Sequence, residues 1–178
     1  MVYFSIFHTH LVYGCNVWSL TTEENIQKID VLQRKCMRIL NFAPFDAQTN
    51  QMFIDLKIIK VRDIFDLQHL KLAYNYFFNH LPGDIMNLLT RRSENYSSTL
   101  TLRSTELNFL SMPKVKTVTY GDKSLRYKCA ELWNRFSSSD ISVNNDSKKN
   151  IKLIKIRNRH YLTKTMKKHY LYQYSLEN

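Results

Sequence analysis

Glycine and proline, three of each in 178 residues, are too few to turn this chain many times. A β-sandwich reverses direction about every 8–12 residues and needs such breakers throughout. Long helices do not. Apolar side chains recur in steps of three and four over much of the sequence, as one buried helical face requires. The expected fold is mainly α, with a short extended or strand segment and a C-terminal basic amphipathic helix. A hydrophobic fraction of 44% with 13% aromatic residues is enough for a real core and argues against disorder throughout.

The periodicity predicts a first, buried helix over Tyr3–Tyr13. Its abrupt start fits a chain cut from a longer polypeptide. Thr21-Thr22-Glu23-Glu24 reads as a Thr-x-x-Glu capping box opening a second helix, whose stripe would be Ile26, Ile29, Leu32, Cys36, Ile39 and Leu40. Pro44 ends that element, because the residue before a proline resists helical dihedrals. A short helix within 47–58 and a longer one over Val61–Asn79 follow. The longer one is apolar on both sides and should be central. His80-Leu81-Pro82-Gly83 is a stop, after which Asp84–Leu89 has room for a turn or two. Thr90–Tyr120 is irregular, with one alternating stretch at Lys114–Thr119 that suits a strand. A turn at Tyr120-Gly121-Asp122 leads to a helix over Lys123–Phe136. Ser137–Ser147 reads as a polar linker, and the last helix covers Lys148–Tyr170 with a stripe of Ile151, Ile154, Tyr161, Leu162, Met166 and Tyr170.

The chemistry of the chain is mostly defined by what it lacks. Cys15, Cys36 and Cys129 are odd in number and far apart, which suits free thiols in a reducing compartment, nuclear or cytoplasmic. His8 and His10 diverge on a helix, and His160 and His169 lack ligand partners at metal spacing. Asp63 and Asp66 lie one turn apart, but Lys60, Arg62 and Lys71 nearby make ion pairing the plainer reading. No glycine-rich phosphate loop exists, and no cofactor or metal is implied. No apolar run reaches the ~20 residues of a membrane-spanning helix. A basic amphipathic tail also suits a membrane surface, although this one carries no Trp or Phe.

What remains is positive charge. The net charge is +11, and residues 148–178 hold nine Lys and Arg against Glu177 alone. Such asymmetry points to a polyanion, nucleic acid before membrane. One candidate cluster is Lys28, Arg34, Lys35 and Arg38 on the second helix. The other is Lys148, Lys149, Lys152, Lys155, Arg157, Arg159, Lys164, Lys167 and Lys168 in the tail, with Tyr161, Tyr170, Tyr172 and Tyr174 available to stack on bases. Arg91, Arg92 and Arg103 form a lesser group in the irregular segment.

Three phrases occur in a fixed order: Leu11-Val12-Tyr13-Gly14-Cys15-Asn16-Val17-Trp18, then Leu32-Gln33-Arg34-Lys35-Cys36-Met37-Arg38-Ile39-Leu40, then Lys123-Ser124-Leu125-Arg126-Tyr127-Lys128-Cys129-Ala130-Glu131-Leu132-Trp133-Asn134. Together they resemble the region that follows the polymerase core in reverse transcriptases of non-LTR (LINE-type, jockey-like) retrotransposons, over roughly residues 5 to 170. The resemblance implies a thumb-like helical region at 1–90, an extended connecting segment at 91–121, and a post-thumb motif helix, linker and basic tail helix at 122–178. It implies RNA or DNA of template-primer type as partner, with the missing polymerase core or self-association as further possibilities. The family's catalytic carboxylates are an aromatic-x-Asp-Asp turn, and this chain holds no Asp-Asp pair. The expectation is therefore a non-catalytic fragment that binds nucleic acid. The alternative is an interaction module using the apolar N-terminal helix. Tyr13, Trp18, Leu125, Tyr127, Leu132 and Trp133 are expected as core anchors, whereas Arg126 and Asn134 are free to cap backbone or meet a template.

Overall fold

The computed structural model describes residues 2–92, 109–117, 121–142 and 159–176, with backbone alone for 138–142 and 161. It is mainly helical, as expected. A π-helical turn, Tyr3–Phe7, runs into α1, His8–Val12. Gly14, at φ 61, breaks the helix and caps α2, Cys15–Trp18. Then come α3, Glu23–Leu40; α4, Asn50–Asp55; α5, Val61–Phe77; α6, Gly83–Met86; α7, Leu125–Ser142; and α8, Arg159–Leu176. Two compact units divide the chain, one of Met1–Gln68 with His160–Asn178 and the other of His69–Arg159.

In the first unit, α3 begins one residue later than the capping box predicts. Thr22 takes the N-cap without a side-chain bond, and the Thr21 hydroxyl accepts from Asn25 Nδ2 at 3.0 Å. The buried stripe is also rotated. Ile26, Gln33 and Met37 are buried, with Ile29, Cys36 and Leu40 half-buried, whereas Leu32 and Ile39 of the expected stripe are exposed. The reason is Gln33. Its Nε2 donates to Tyr3 Oη at 2.8 Å and to the Ile59 carbonyl at 3.0 Å, and its Oε1 accepts from Val61 N–H at 3.0 Å. A fully partnered amide tolerates burial at little cost, so this polar residue faces inward.

The first helical segment departs from expectation as well. Tyr3 and Leu11 are buried, but Val2, Ile6, Tyr13 and Val17 are exposed, so it is buried along one side only. Tyr13 is no core anchor: it is 86% exposed, and its carbonyl accepts from Trp18 Nε1 at 2.8 Å across the Gly14 break. The Trp18 ring in turn packs edge-on against Phe65, with centroids 4.8 Å apart.

Three helices end alike. Phe42, Lys57 and Asn79 follow α3, α4 and α5 with φ of 51°, 54° and 55°. In each, the next residue's N–H reaches back five positions: Ala43 to Arg38 O, Ile58 to Phe53 O and His80 to Asn75 O, at 2.8–2.9 Å. These are Schellman caps with non-glycine residues at the left-handed position. Thus α3 stops at its own cap, before Pro44 acts.

In α8, Leu162, Met166, Tyr170 and Tyr174 recur every fourth residue and are buried. Ile151 and Ile154 of the expected stripe lie outside the described residues, and α8 continues six residues beyond Tyr170.

Within the second unit, Trp133 is the central anchor, 1% exposed and stacked on Phe77 with centroids 4.7 Å apart. Cys129 and Ala130 are buried beside it in sequence, and Leu125, Tyr127 and Leu132 are half-buried. Burial pushes the Cys129 thiol up to about 12. Arg91 and Leu110 form an antiparallel bridge, flanked by hydrogen bonds Arg92 N–Phe109 O and Ser111 N–Thr90 O. That bridge is where the chain is extended. Residues 114–117 form no strand, and 118–120 lie outside the described residues. Gly121 follows because its N–H turns back to Thr117 O at 2.9 Å, and a Cβ there would fall 2.5 Å from Val115 Cβ. Helix α7 then continues through Ser142, so the first half of the expected linker is helical and the remainder, 143–147, is not described.

Candidate nucleic-acid interface

At 100° per residue, Lys28, Arg34, Lys35 and Arg38 fall within about a third of the circumference of α3, opposite Gln33. The rotation that buries Gln33 and Met37 thus turns these cations outward. Lys28, Arg34 and Lys35 are exposed. Arg38 is half-buried. Its Nε donates to Ala47 O at 3.0 Å, and its guanidinium carbon lies 5.7 Å from the centre of the Phe45 ring. Val31, Leu32 and Ile39 share this outward face. Phe42, 97% exposed, and Phe45, 79% exposed, follow directly after the helix. Residues 31–45 contain no acid.

Arg34 also borders a cleft of about 410 Å³ within the first unit, lined among others by Asp30, Lys60, Arg62, Asp63 and Tyr174. Several of its polar groups are engaged within the protein. Arg62 pairs with Glu23 and Asp30, and the Glu23 bond raises its already high pKa. Burial lifts the Asp30 carboxyl above its ordinary range, against the pull of Arg62. Tyr174 Oη donates to Asp63 and accepts from Lys60 N–H at 2.9 Å, while Lys60 Nζ sits 4.3 Å from the centre of the tyrosine ring. Burial, then the Asp63 charge, push the Tyr174 phenol well above its usual range. The cleft is a polar latch holding α8 to the start of α5. Asp63 serves there, and Arg62 pairs with Glu23 and Asp30. Among the described residues no three His, Cys, Asp or Glu side chains gather as a metal ion would require.

The tail cations separate by position. Lys148, Lys149, Lys152, Lys155 and Arg157 lie outside the described residues, as does Arg103. Arg159, Lys164 and Lys168 are exposed on α8. Lys167 is half-buried, with Nζ 5.3 Å from the centre of the Phe4 ring, and burial lowers its pKa. Of the tyrosines proposed to stack, Tyr170 and Tyr174 are 7% and 3% exposed and belong to the core; Tyr172, 64% exposed, remains accessible. It continues the i, i+4 line of Lys164 and Lys168.

In the second unit, Arg91 donates to Phe77 O at 3.3 Å and lies over that ring, so it serves the core. Arg126 is exposed and reaches Thr90 Oγ1 at 3.3 Å. Asn134 has a backbone role. Its Nδ2 donates to Leu110 O and its Oδ1 accepts from Leu110 N–H, both at 2.9 Å, as a neighbouring strand would.

The sequence reading missed Gln33, the Tyr174 latch and the Phe42–Phe45 pair. The spacing Ile26–Gln33–Met37, seven then four, is the signal that places Gln33 on a buried line.

Over 88 residues the chain is 31% identical to the RNA-directed DNA polymerase from mobile element jockey of Drosophila melanogaster. It is related to a reverse transcriptase. The match covers 49% of this chain and 9% of the relative. It supports the resemblance to non-LTR reverse transcriptases at the level of the enzyme. No family model and no solved structure matches significantly.

Proposed function

We propose that this chain is a nucleic-acid-binding, non-catalytic part of a non-LTR reverse transcriptase, corresponding to its thumb and post-thumb region. The observation that carries the reading is the outward basic face of α3; α8 adds further exposed cations. Its chemistry is phosphate neutralisation with release of counterions. Lys28, Arg34 and Lys35, with Arg159, Lys164 and Lys168, are the described side chains that supply it. Polymerisation would need paired carboxylates holding two metals, and the chain has no adjacent aspartates. Titration of the full chain with labelled duplex DNA tests the proposal. Binding is expected at low salt and should weaken steeply as salt rises. Absence of measurable affinity for RNA or DNA at low salt would refute binding while leaving the ancestry untouched.

One further observation favours a second reading, a protein-interaction module. Val2, Ile6, Tyr13 and Val17, apolar side chains of the N-terminal segment, are all exposed. Sedimentation over a concentration series separates the two. Self-association abolished by Ile6→Asp would favour the module, and a monomer at all concentrations would count against self-association.

A further inference from the structure

We propose that Phe42 and Phe45 form a stacking platform for the unpaired bases of a single-stranded nucleic acid, whose phosphates run along the basic face of α3. The inference rests on the binding role proposed above and specifies which form of nucleic acid this surface takes.

The two rings are 97% and 79% exposed, immediately after the helix that carries Lys28, Arg34, Lys35 and Arg38. Phe42 is not loosely placed. Its backbone is held at φ 51 by the Phe42 N–Ile39 O bond of 3.2 Å and the Ala43 N–Arg38 O bond of 2.9 Å. A left-handed cap ordinarily goes to Gly or Asn. Here a large aromatic occupies it and points into solvent. The Arg38 guanidinium lies against the Phe45 ring, bringing positive charge to the same place. From Val31 to Phe45 there are three cations and no acid; of the flanking acids, Asp30 pairs with Arg62 and Asp46 is exposed, so positive charge predominates along this stretch.

Duplex and single strand differ in what they can offer such a surface. A duplex keeps its base faces stacked and presents charged backbones, which the lysines and arginines alone would satisfy. An unpaired strand presents base faces as well, and base–aromatic stacking tolerates any sequence because every base has a π-face. Rings next to cations, with no acid between them, match the second case.

The test is fluorescence anisotropy on the full chain with labelled oligothymidylate and with a labelled DNA duplex. Alanine at both positions, Phe42→Ala with Phe45→Ala, should weaken the single strand about tenfold or more and leave the duplex within about twofold. Tryptophan at both positions should restore single-strand affinity. Both side chains are solvent-exposed, and an unchanged circular-dichroism melt of the alanine variant shows that folding is intact. Unchanged single-strand affinity overturns the proposal and leaves the rings to a protein partner. Equal loss on both ligands overturns it too. If the unsubstituted chain binds neither ligand, the binding role itself falls, and this inference with it.

Discussion

Gln33 satisfies three buried groups at once, so its replacement exposes their cost. Gln33→Ala leaves Val61 N–H and Ile59 O without this partner in the interior, and a stability loss of about 2–4 kcal/mol by urea unfolding is expected. Tyr3→Phe removes one of the three contacts and should cost about 1 kcal/mol. The left-handed caps predict the opposite sign. Lys57 is exposed at φ 54, where an L side chain is disfavoured, so Lys57→Gly should stabilise by about 1 kcal/mol. Gly14→Ala at φ 61 should destabilise by a similar amount. Proton linkage adds a further test. Burial raises Tyr3 to about 12 and Cys129 to about 12 from an ordinary 9.0, and Tyr174 rises too. The folded protein holds these protons where the unfolded chain has released them. Their contribution is complete below pH 9 and is lost as pH climbs from 9 to 12. Tyr174→Phe should make that alkaline loss shallower in a pH series of unfolding curves.

Helix positions were largely legible because apolar spacing reports them: α5 begins at Val61 as read, and α7 contains the expected Trp133 anchor. Helix orientation was less legible. A scale that treats glutamine as surface puts Leu32 and Ile39 inside, whereas a partnered amide reverses the choice. Likewise Pro44 reads as a stop, while the actual terminator is a set of backbone bonds around Phe42 that no residue type announces. Asn134 could be read either way until its two bonds to Leu110 were seen. Helix α7 and the bridge depend on that pairing, so Asn134→Ala should lower stability by about 1–3 kcal/mol. Asn134→Asp keeps one acceptor and loses the donor, and should be intermediate or worse. At the candidate site, the cations of α3 are legible in the sequence, and the helix places Lys28, Arg34 and Lys35 in solvent. The exposed aromatic pair beside them is not legible, because a phenylalanine is ordinarily assigned to the core.

At the scale of the molecule, positive charge faces outward on α3 and α8, while the acids of the cleft, Asp30 and Asp63, are tied into internal pairs. Among the described residues no helix is long and apolar enough to cross a membrane. The proposed partner is a polyanion, and salt dependence is its most direct signature. The decisive measurement is the slope of log K against log salt for duplex DNA, for the unsubstituted chain and for Lys28→Ala, Arg34→Ala and Lys35→Ala combined. Neutralising about six phosphates predicts a slope near −5, and the triple variant should flatten it by roughly 2–3. A slope that is unchanged in the variant, or an affinity that salt does not move, would contradict the account.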